Sequence, residues 1–385
     1  MSLLFLAITA CDTDTEEPNS SDFEFTQVFS GDADFSRYVA MGGGVTAGMT
    51  DNSLFMAGQM GSYPNIMASV MSQTDTGGEF TQPYVDDNVG GINIGGNQFW
   101  GPRLFFDGAG PAQVPGTPST EATNVVPGPY SNLAFPFANA IVNVAPGFGS
   151  LEGLAAGLAN PWYVRAASSN DATILGDALM QQPTFVTFVP GNDFAGYTLF
   201  GASGFTPPLE LEGPTGMLAG VVGTIQALSS SVPNGVITTL PDPTVSATFN
   251  SVPYNAIPLD DEATINGING LVVNAYNAAL QYFQSIGQLT ADEVALRTLA
   301  FRVAGDNPVL IQDETLTDLG AFNLPSIRDA NENDKISLFA APILGEPVDG
   351  VNPANGIWGV TFPLNDLGVL IPSEIDEIQT KLATA

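Results

Sequence analysis

Tyr38-Val39-Ala40-Met41-Gly42-Gly43-Gly44-Val45-Thr46-Ala47-Gly48 is the stretch on which the reading of this chain turns. Its first four residues form an unbroken apolar run, the pattern of a strand buried on both faces of a parallel sheet. Three glycines then permit a tight turn, and a helical segment follows. That order sets backbone amides at the positive end of a helix, a place suited to an anion or a developing oxyanion. Gly42 to Ala47 also satisfies the G-x-G-x-x-G/A pattern of dinucleotide-binding folds. The acidic residue that ribose recognition needs about twenty positions on is missing, because that region reads Gly61-Ser62-Tyr63-Pro64-Asn65.

Working outward, apolar runs alternate with helical patterns, which predicts an α/β layered fold. Pro183 to Val189 is a β-branched and aromatic strand ending at Pro190-Gly191-Asn192-Asp193, and Gly235 to Leu240 is a second, stopped by Pro241-Asp242-Pro243. Asp261 to Ile286 has helical spacing without proline, and Thr290-Ala291-Asp292-Glu293 opens another helix with a capping box. A last helix starts at Ser373 and reaches Ala385 without a C-cap signal, which predicts that further chain follows. The expected architecture is a three-layer α/β sandwich with a mainly parallel sheet and flavodoxin-like layering. It carries a loop insertion near 74–129, rich in Gly, Pro and Asn, and a helical one near 258–305. No internal repeat is visible.

Composition narrows the function. With 8 basic and 40 acidic residues the formal charge is −32, which repels phosphate backbones and excludes nucleic acid as a partner. The chain has no histidine, which removes Ser-His-Asp, Cys-His and His-ligated metal chemistry as the sequence stands. The acidic residues are dispersed and read as a solubility device. Asp329-Ala330-Asn331-Glu332-Asn333-Asp334 places oxygens at the first, third and fifth positions of a calcium loop. Asp334 then stands where that loop needs Gly and Ala340 where it needs Glu, so the stretch is expected to be a solvated turn. No metal and no cofactor is expected.

The N-terminus carries an address. Leu3 to Ala10 is too short to span a bilayer but suits the core of a secretory signal. Its end, Ile8-Thr9-Ala10-Cys11, resembles a bacterial lipobox, in which the cysteine is acylated and becomes the new N-terminus. Cys11 is the single cysteine, so it has no partner for an intramolecular disulfide, and the residues that follow are polar. The resulting division is a signal segment 1–11, a polar tether 12–22 and a folded domain 23–385, held in the bacterial cell envelope, at the outer membrane or surface, through lipid on Cys11.

Several blocks in order are similar to one family. Tyr38 to Gly48 resembles the first block of the SGNH, or GDSL-type, hydrolases as it occurs in bacterial surface lipoproteins, where the turn reads G-N-S-L-T-A-G and its serine is the nucleophile. Gly58-Gln59-Met60-Gly61-Ser62-Tyr63-Pro64-Asn65-Ile66 is similar to the G-Q-x-N-S-Y-P-N-I segment of those lipoproteins. Asn160-Pro161-Trp162-Tyr163 and Phe188-Val189-Pro190-Gly191-Asn192-Asp193 resemble the approach to the third block, G-N-N-D, whose second asparagine donates to the oxyanion. Leu240 to Thr244, Val252 to Asn255 and Phe362 to Leu364 also look like this branch, so the resemblance runs from about Ser36 to Ile378.

The catalytic residues do not carry over. Gly44 occupies the nucleophile position and offers no attacking atom. Ser131 to Phe137 looks like the second block, whose glycine lends an amide to the oxyanion, and Phe137 stands in its place. Asn192 remains, with Asp193 beside it, and the Asp and general-base His of the last block have no counterpart. Thr46, Ser53 or Ser62 could supply another hydroxyl but not the base that activates it. The resemblance therefore implies a lipid-anchored scaffold without ester hydrolysis, whose pocket, with Gly44, Asn192 and Asp193 as ligand-binding candidates, is left to hold an acyl or glycan group. The alternatives are a structural or adhesive surface lipoprotein without a pocket and a fragment of an acyl-serine esterase.

Overall fold

The computed structural model describes residues 28–384 apart from 109, 127, 191, 200, 203–212, 214 and 215. Cys11 and the tether 12–22 lie outside the described residues. The protein is mixed α/β, built on a four-stranded sheet: β1 (Tyr38–Gly42), β2 (Asn132–Ala134), β3 (Phe185–Val189) and β4 (Asn234–Ile237), in spatial order β2-β1-β3-β4 and parallel throughout. The central strand β1 is buried along its whole length, as its apolar run requires.

Alternation along β1 decides what each face meets. Val39 and Met41, with Val186 and Phe188 of β3, join the largest apolar cluster. That cluster includes Trp162 to Val164 of the helix Pro161–Ala166, Ile174 and Ala178 of Ile174–Met180, and Leu228 of Met217–Ser231. Tyr38, Ala40 and Phe185 point the other way, onto Ala68 and Met71 of the helix Tyr63–Met71. The Tyr38 hydroxyl and Thr187 Oγ1 are 2.8 Å apart and tie β1 to β3 on that side. Strand β4 is exposed along its length and ends at Ile237, short of the predicted Leu240, where the first proline of Pro241-Asp242-Pro243 follows.

The predicted loop section 74–129 carries two small hairpins, Ile92–Ile94 with Asn97–Trp100 and Leu104–Phe106 with Pro111–Gln113. Gly95 and Gly96, both with positive φ, form the two-residue turn of the first. The predicted helix 261–286 forms as Glu262–Ile268 and Asn274–Ser285, joined by a π-helical turn at Asn269–Val273. Thr290 caps the next helix, Ala291–Arg297, by accepting from the Glu293 amide. The Glu293 carboxylate instead accepts from Thr317 and from the buried Arg297.

A second apolar core gathers Ile257, Leu280, Val309, Ile311, Ile336, Leu364 and Val369. Its strands are only two or three residues long and pair antiparallel: Ile257–Leu259 with Gly305–Asn307, Leu310–Gln312 with Ile327–Asp329, and Lys335–Ile336 with Val369–Leu370. Charge fills what the short strands leave. Arg328, 2% exposed, holds Asp313 at 2.6 Å and Asp334 through two bonds of 2.7 Å. Burial works to lower the Arg328 guanidinium, and hydrogen bonding to Asp334 and Asp313 overrides this and raises it. Arg302 is paired with Asp329 by bonds of 2.9 and 2.7 Å. The stretch 329–334 is therefore not the solvated turn expected from its acidity, because two of its carboxylates neutralise buried arginines.

Candidate functional site

β1 and β3 run side by side in register, Gly42 opposite Val189, so the chain leaves both strands at one edge of the sheet. From β1 it enters the single helical turn α1 (Gly44–Ala47), and from β3 it enters α2 (Asn192–Leu199). A Cβ on Gly42, whose φ is 156°, would lie 2.4 Å from Thr46 Oγ1, so glycine is required where the turn folds back on itself.

Between these exits lies a cavity of about 500 Å³. Gly44, Val45 and Met49 form one side, and Ala195, Gly196 and Leu199 of α2 another. Trp100 comes from the first hairpin and Phe137 from the segment after β2, while Phe339 and Leu367 reach in from the second core. Asn52 is the single polar side chain in this lining. Trp100 and Phe137 meet edge to face at 4.8 Å, and Phe137 leans on Trp162 at 5.5 Å. Trp100 Nε1 donates to the Asn52 carbonyl at 2.6 Å, which fixes the indole in the wall. The wall is assembled from several separate segments, none with an apolar periodicity directed at it, so sequence reading missed Val45, Met49, Trp100, Leu199, Phe339 and Leu367 as a group.

Of the residues singled out from sequence, Gly44 and Phe137 both face this cavity. A Cβ on Gly44 would sit 3.2 Å from Met49 Sδ and 3.3 Å from Met49 Cβ, so a side chain here needs Met49 to yield slightly. Phe137 has φ +60°, a left-handed conformation rare for a bulky residue, and is nearly half exposed. Asn192 is the first residue of α2, with its side chain outside the described residues. Asp193 lines a crevice of about 10 Å³ beside Gly42 and Gly43, and its Oδ2 accepts from the Ala140 amide at 3.0 Å. Burial raises its carboxyl above the ordinary aspartate range, against the lowering effect of that amide.

The three alternative hydroxyls point elsewhere. Thr46 is fully buried with Oγ1 3.4 Å from the Tyr63 hydroxyl, Ser53 donates to the Gly101 carbonyl at 3.1 Å, and Ser62 donates to Gln82 Oε1 at 3.5 Å. None lines the cavity. Gln59 and Asn160, which carried parts of the resemblance, hold backbone together. Gln59 accepts from Val85 and donates to Pro83, and Asn160 caps the helix Pro161–Ala166 while donating to the Pro136 carbonyl at 2.7 Å.

A second chemically loaded group lies near the far wall, where Glu314, Asp366 and Glu374 bring carboxylate oxygens within 4.8 Å of one another. Burial, then repulsion from Glu314, Asp366 and Asp313, pushes Glu374 up to about 8, against the lowering effect of the Ile371 amide. No known protein family, curated protein or solved structure matches the chain. Among the described residues, no helix is long and apolar enough to cross a membrane.

Proposed function

We infer that this is a lipid-anchored envelope protein with a three-layer, SGNH-hydrolase-like α/β scaffold that does not hydrolyse esters and instead holds an acyl group in the cavity over Gly44. The observation that carries this reading is the lining: one polar side chain, Asn52, against an otherwise aliphatic and aromatic wall around about 500 Å³. Such a hollow favours a hydrocarbon chain over a glycan, whose hydroxyls would find few partners. The absence of any basic side chain from this lining, within a chain of charge −32, favours an uncharged acyl ligand over a free fatty acid.

Loss of hydrolysis is supported by the position of Gly44, by the burial of Thr46, Ser53 and Ser62 away from the cavity, and by a sequence without histidine. The left-handed φ of Phe137 supports the scaffold reading, since the resembled second block carries glycine at that point, the residue for which this conformation is least costly. The anchor rests on the lipobox-like Ile8 to Cys11.

Gly196 gives a test, because it lines the cavity and a Cβ placed there meets no atom within 4 Å. The expected result is that a neutral monoacylglycerol displaces a fluorescent acyl probe from the purified protein, and that Gly196→Phe weakens probe binding at least about tenfold while the fold is kept. Equal binding by wild type and Gly196→Phe, or no binding by either, overturns the acyl reading. Cys11→Ala is expected to move the protein from the membrane to the soluble fraction, since the acyl chains are its proposed attachment. A variant that stays with the membrane removes the anchor from the proposal.

A further inference from the structure

The oxygens of Glu314, Asp366 and Glu374 converge from three parts of the chain. Glu314 follows the short strand Leu310–Gln312, Asp366 lies in the turn before Val369–Leu370, and Glu374 sits in the first turn of the helix Pro372–Thr384. Glu374 is 2% exposed. Its Oε2 accepts the Ile371 amide at 2.8 Å, while its Oε1 is buried with no hydrogen-bond donor. An orphaned carboxylate oxygen is among the costlier things to bury, and it needs either a proton or a cation.

Among the described residues, no ion pair reaches Glu314, Asp366 or Glu374. Arg328, the guanidinium whose charge reaches Glu314, is already bound to Asp313 through Nε and to Asp334 through both terminal nitrogens. That guanidinium thus serves Asp313, Asp334 and Glu314, and its charge is not among the influences on Asp366 or Glu374. The donor set also restricts the metal. Oxygen-only ligation suits hard cations, and zinc or copper would call for nitrogen or sulfur. Three protein carboxylates in one group suit calcium, which takes many flexibly placed oxygen ligands, better than magnesium, which keeps most of its waters and is usually held by one or two carboxylates.

We propose that Glu314, Asp366 and Glu374 form a calcium site that clamps the helix Pro372–Thr384 to the second core. Its position gives the clamp a consequence for the cavity. Gly201, just beyond α2, packs so tightly on Asp366 that a Cβ would lie 2.2 Å from the aspartate Cβ. Leu367, the next residue, is in the cavity wall, as is Leu199 at the end of α2. Calcium therefore holds the two wall segments on which the hollow depends, although the site stands independently of what the hollow binds.

The test is terbium luminescence and thermal unfolding of the full chain after chelation, with calcium, magnesium or EDTA. Calcium is expected to bind with one site on the order of 10⁻⁵–10⁻³ M and to raise the melting temperature more than equal magnesium does. Glu374→Gln keeps the shape and removes the buried charge, so it is expected to melt no lower than wild type in EDTA and to lose the calcium-dependent shift. Asp366→Asn, at a half-buried position, gives the same loss without disturbing the helix start. Glu152→Gln, on the far side of the protein's sequence and exposed, retains the full shift. Absence of a calcium shift in wild type, or a shift that Glu374→Gln and Asp366→Asn leave intact, overturns the proposal, because a surface of charge −32 attracts calcium diffusely without these residues.

Discussion

The parallel sheet and the second core bury comparable sets of apolar side chains but close their backbones by different means. In the first, strands of up to five residues pair over their length and apolar alternation fills both faces. In the second, ladders of two or three residues cannot satisfy the chain, and arginine completes the structure. Arg297, Arg302 and Arg328 are all buried there, each bonded to a carboxylate, and Arg297 also reaches the carbonyls of Thr317 and Pro325. With Arg165 under the sheet, half of the chain's 8 basic residues are interior. Four carboxylates, Asp177, Asp313, Asp334 and Glu374, are buried as well, so the enclosed charges balance formally and the surface carries the acidic excess of the whole chain.

The largest expected effect tests this contrast. Arg328→Met leaves Asp313 and Asp334 buried without their partner and is expected to cost about 3–5 kcal/mol in urea unfolding. Met41→Ala, in the fully buried middle strand, is expected to cost about 2–5 kcal/mol through the cavity it leaves. The two deficits should respond differently to acid. Protonating the orphaned carboxylates recovers part of the Arg328→Met loss, whereas the Met41→Ala loss stays as it is. If acid leaves both deficits unchanged, the second core does not depend on charge pairing in the way the geometry indicates.

The same contrast explains what could be read in advance. Tyr38 to Met41 and Pro183 to Val189 announce themselves because a strand buried on both faces needs consecutive apolar residues, and the structure has strands at 38–42 and 185–189. Strand β2 gave no such signal: Asn132, Leu133 and Ala134 are too few and lack β-branching, and Asn132 is buried because its Nδ2 donates to Thr46 and Gln82. Gly95-Gly96 between short apolar runs was a legible hairpin turn that composition alone concealed within a loop-like section. The second core was opaque beyond its helices because strands of two residues have no period, and Asp334 reads as a surface acid until Arg328 is brought against it. At the candidate site Gly44 and Phe137 were found from motif order, whereas the apolar wall that gives the cavity its character depends on tertiary assembly.

The smallest expected effect lies where a carboxylate stands in the sheet region without a guanidinium. Asp193 holds the Ala140 amide with one oxygen and is raised chiefly by burial, so its folded state binds its proton more tightly than the unfolded chain does. Stability from this group is then complete below the ordinary aspartate value of 3.8 and is lost as pH rises through the higher folded value. That slope is opposite to the one contributed by Asp87, whose carboxyl is held low by hydrogen bonds from Ser119 and Gly90 despite burial. Whole-protein pH curves mix the two signs, and the informative quantity is the difference between wild type and Asp193→Asn. Asparagine still offers an oxygen to the Ala140 amide but carries no charge to bury. The variant is expected to gain no more than about 1 kcal/mol at neutral pH, with the gain shrinking toward pH 4 as the wild-type carboxyl takes up its proton. Urea unfolding of both proteins across that range measures it. A difference that stays constant with pH would show that burial does not shift this carboxyl, and one that grows toward acid would show that Asp193 is stabilising as a carboxylate and that the sheet region, like the second core, depends on buried charge.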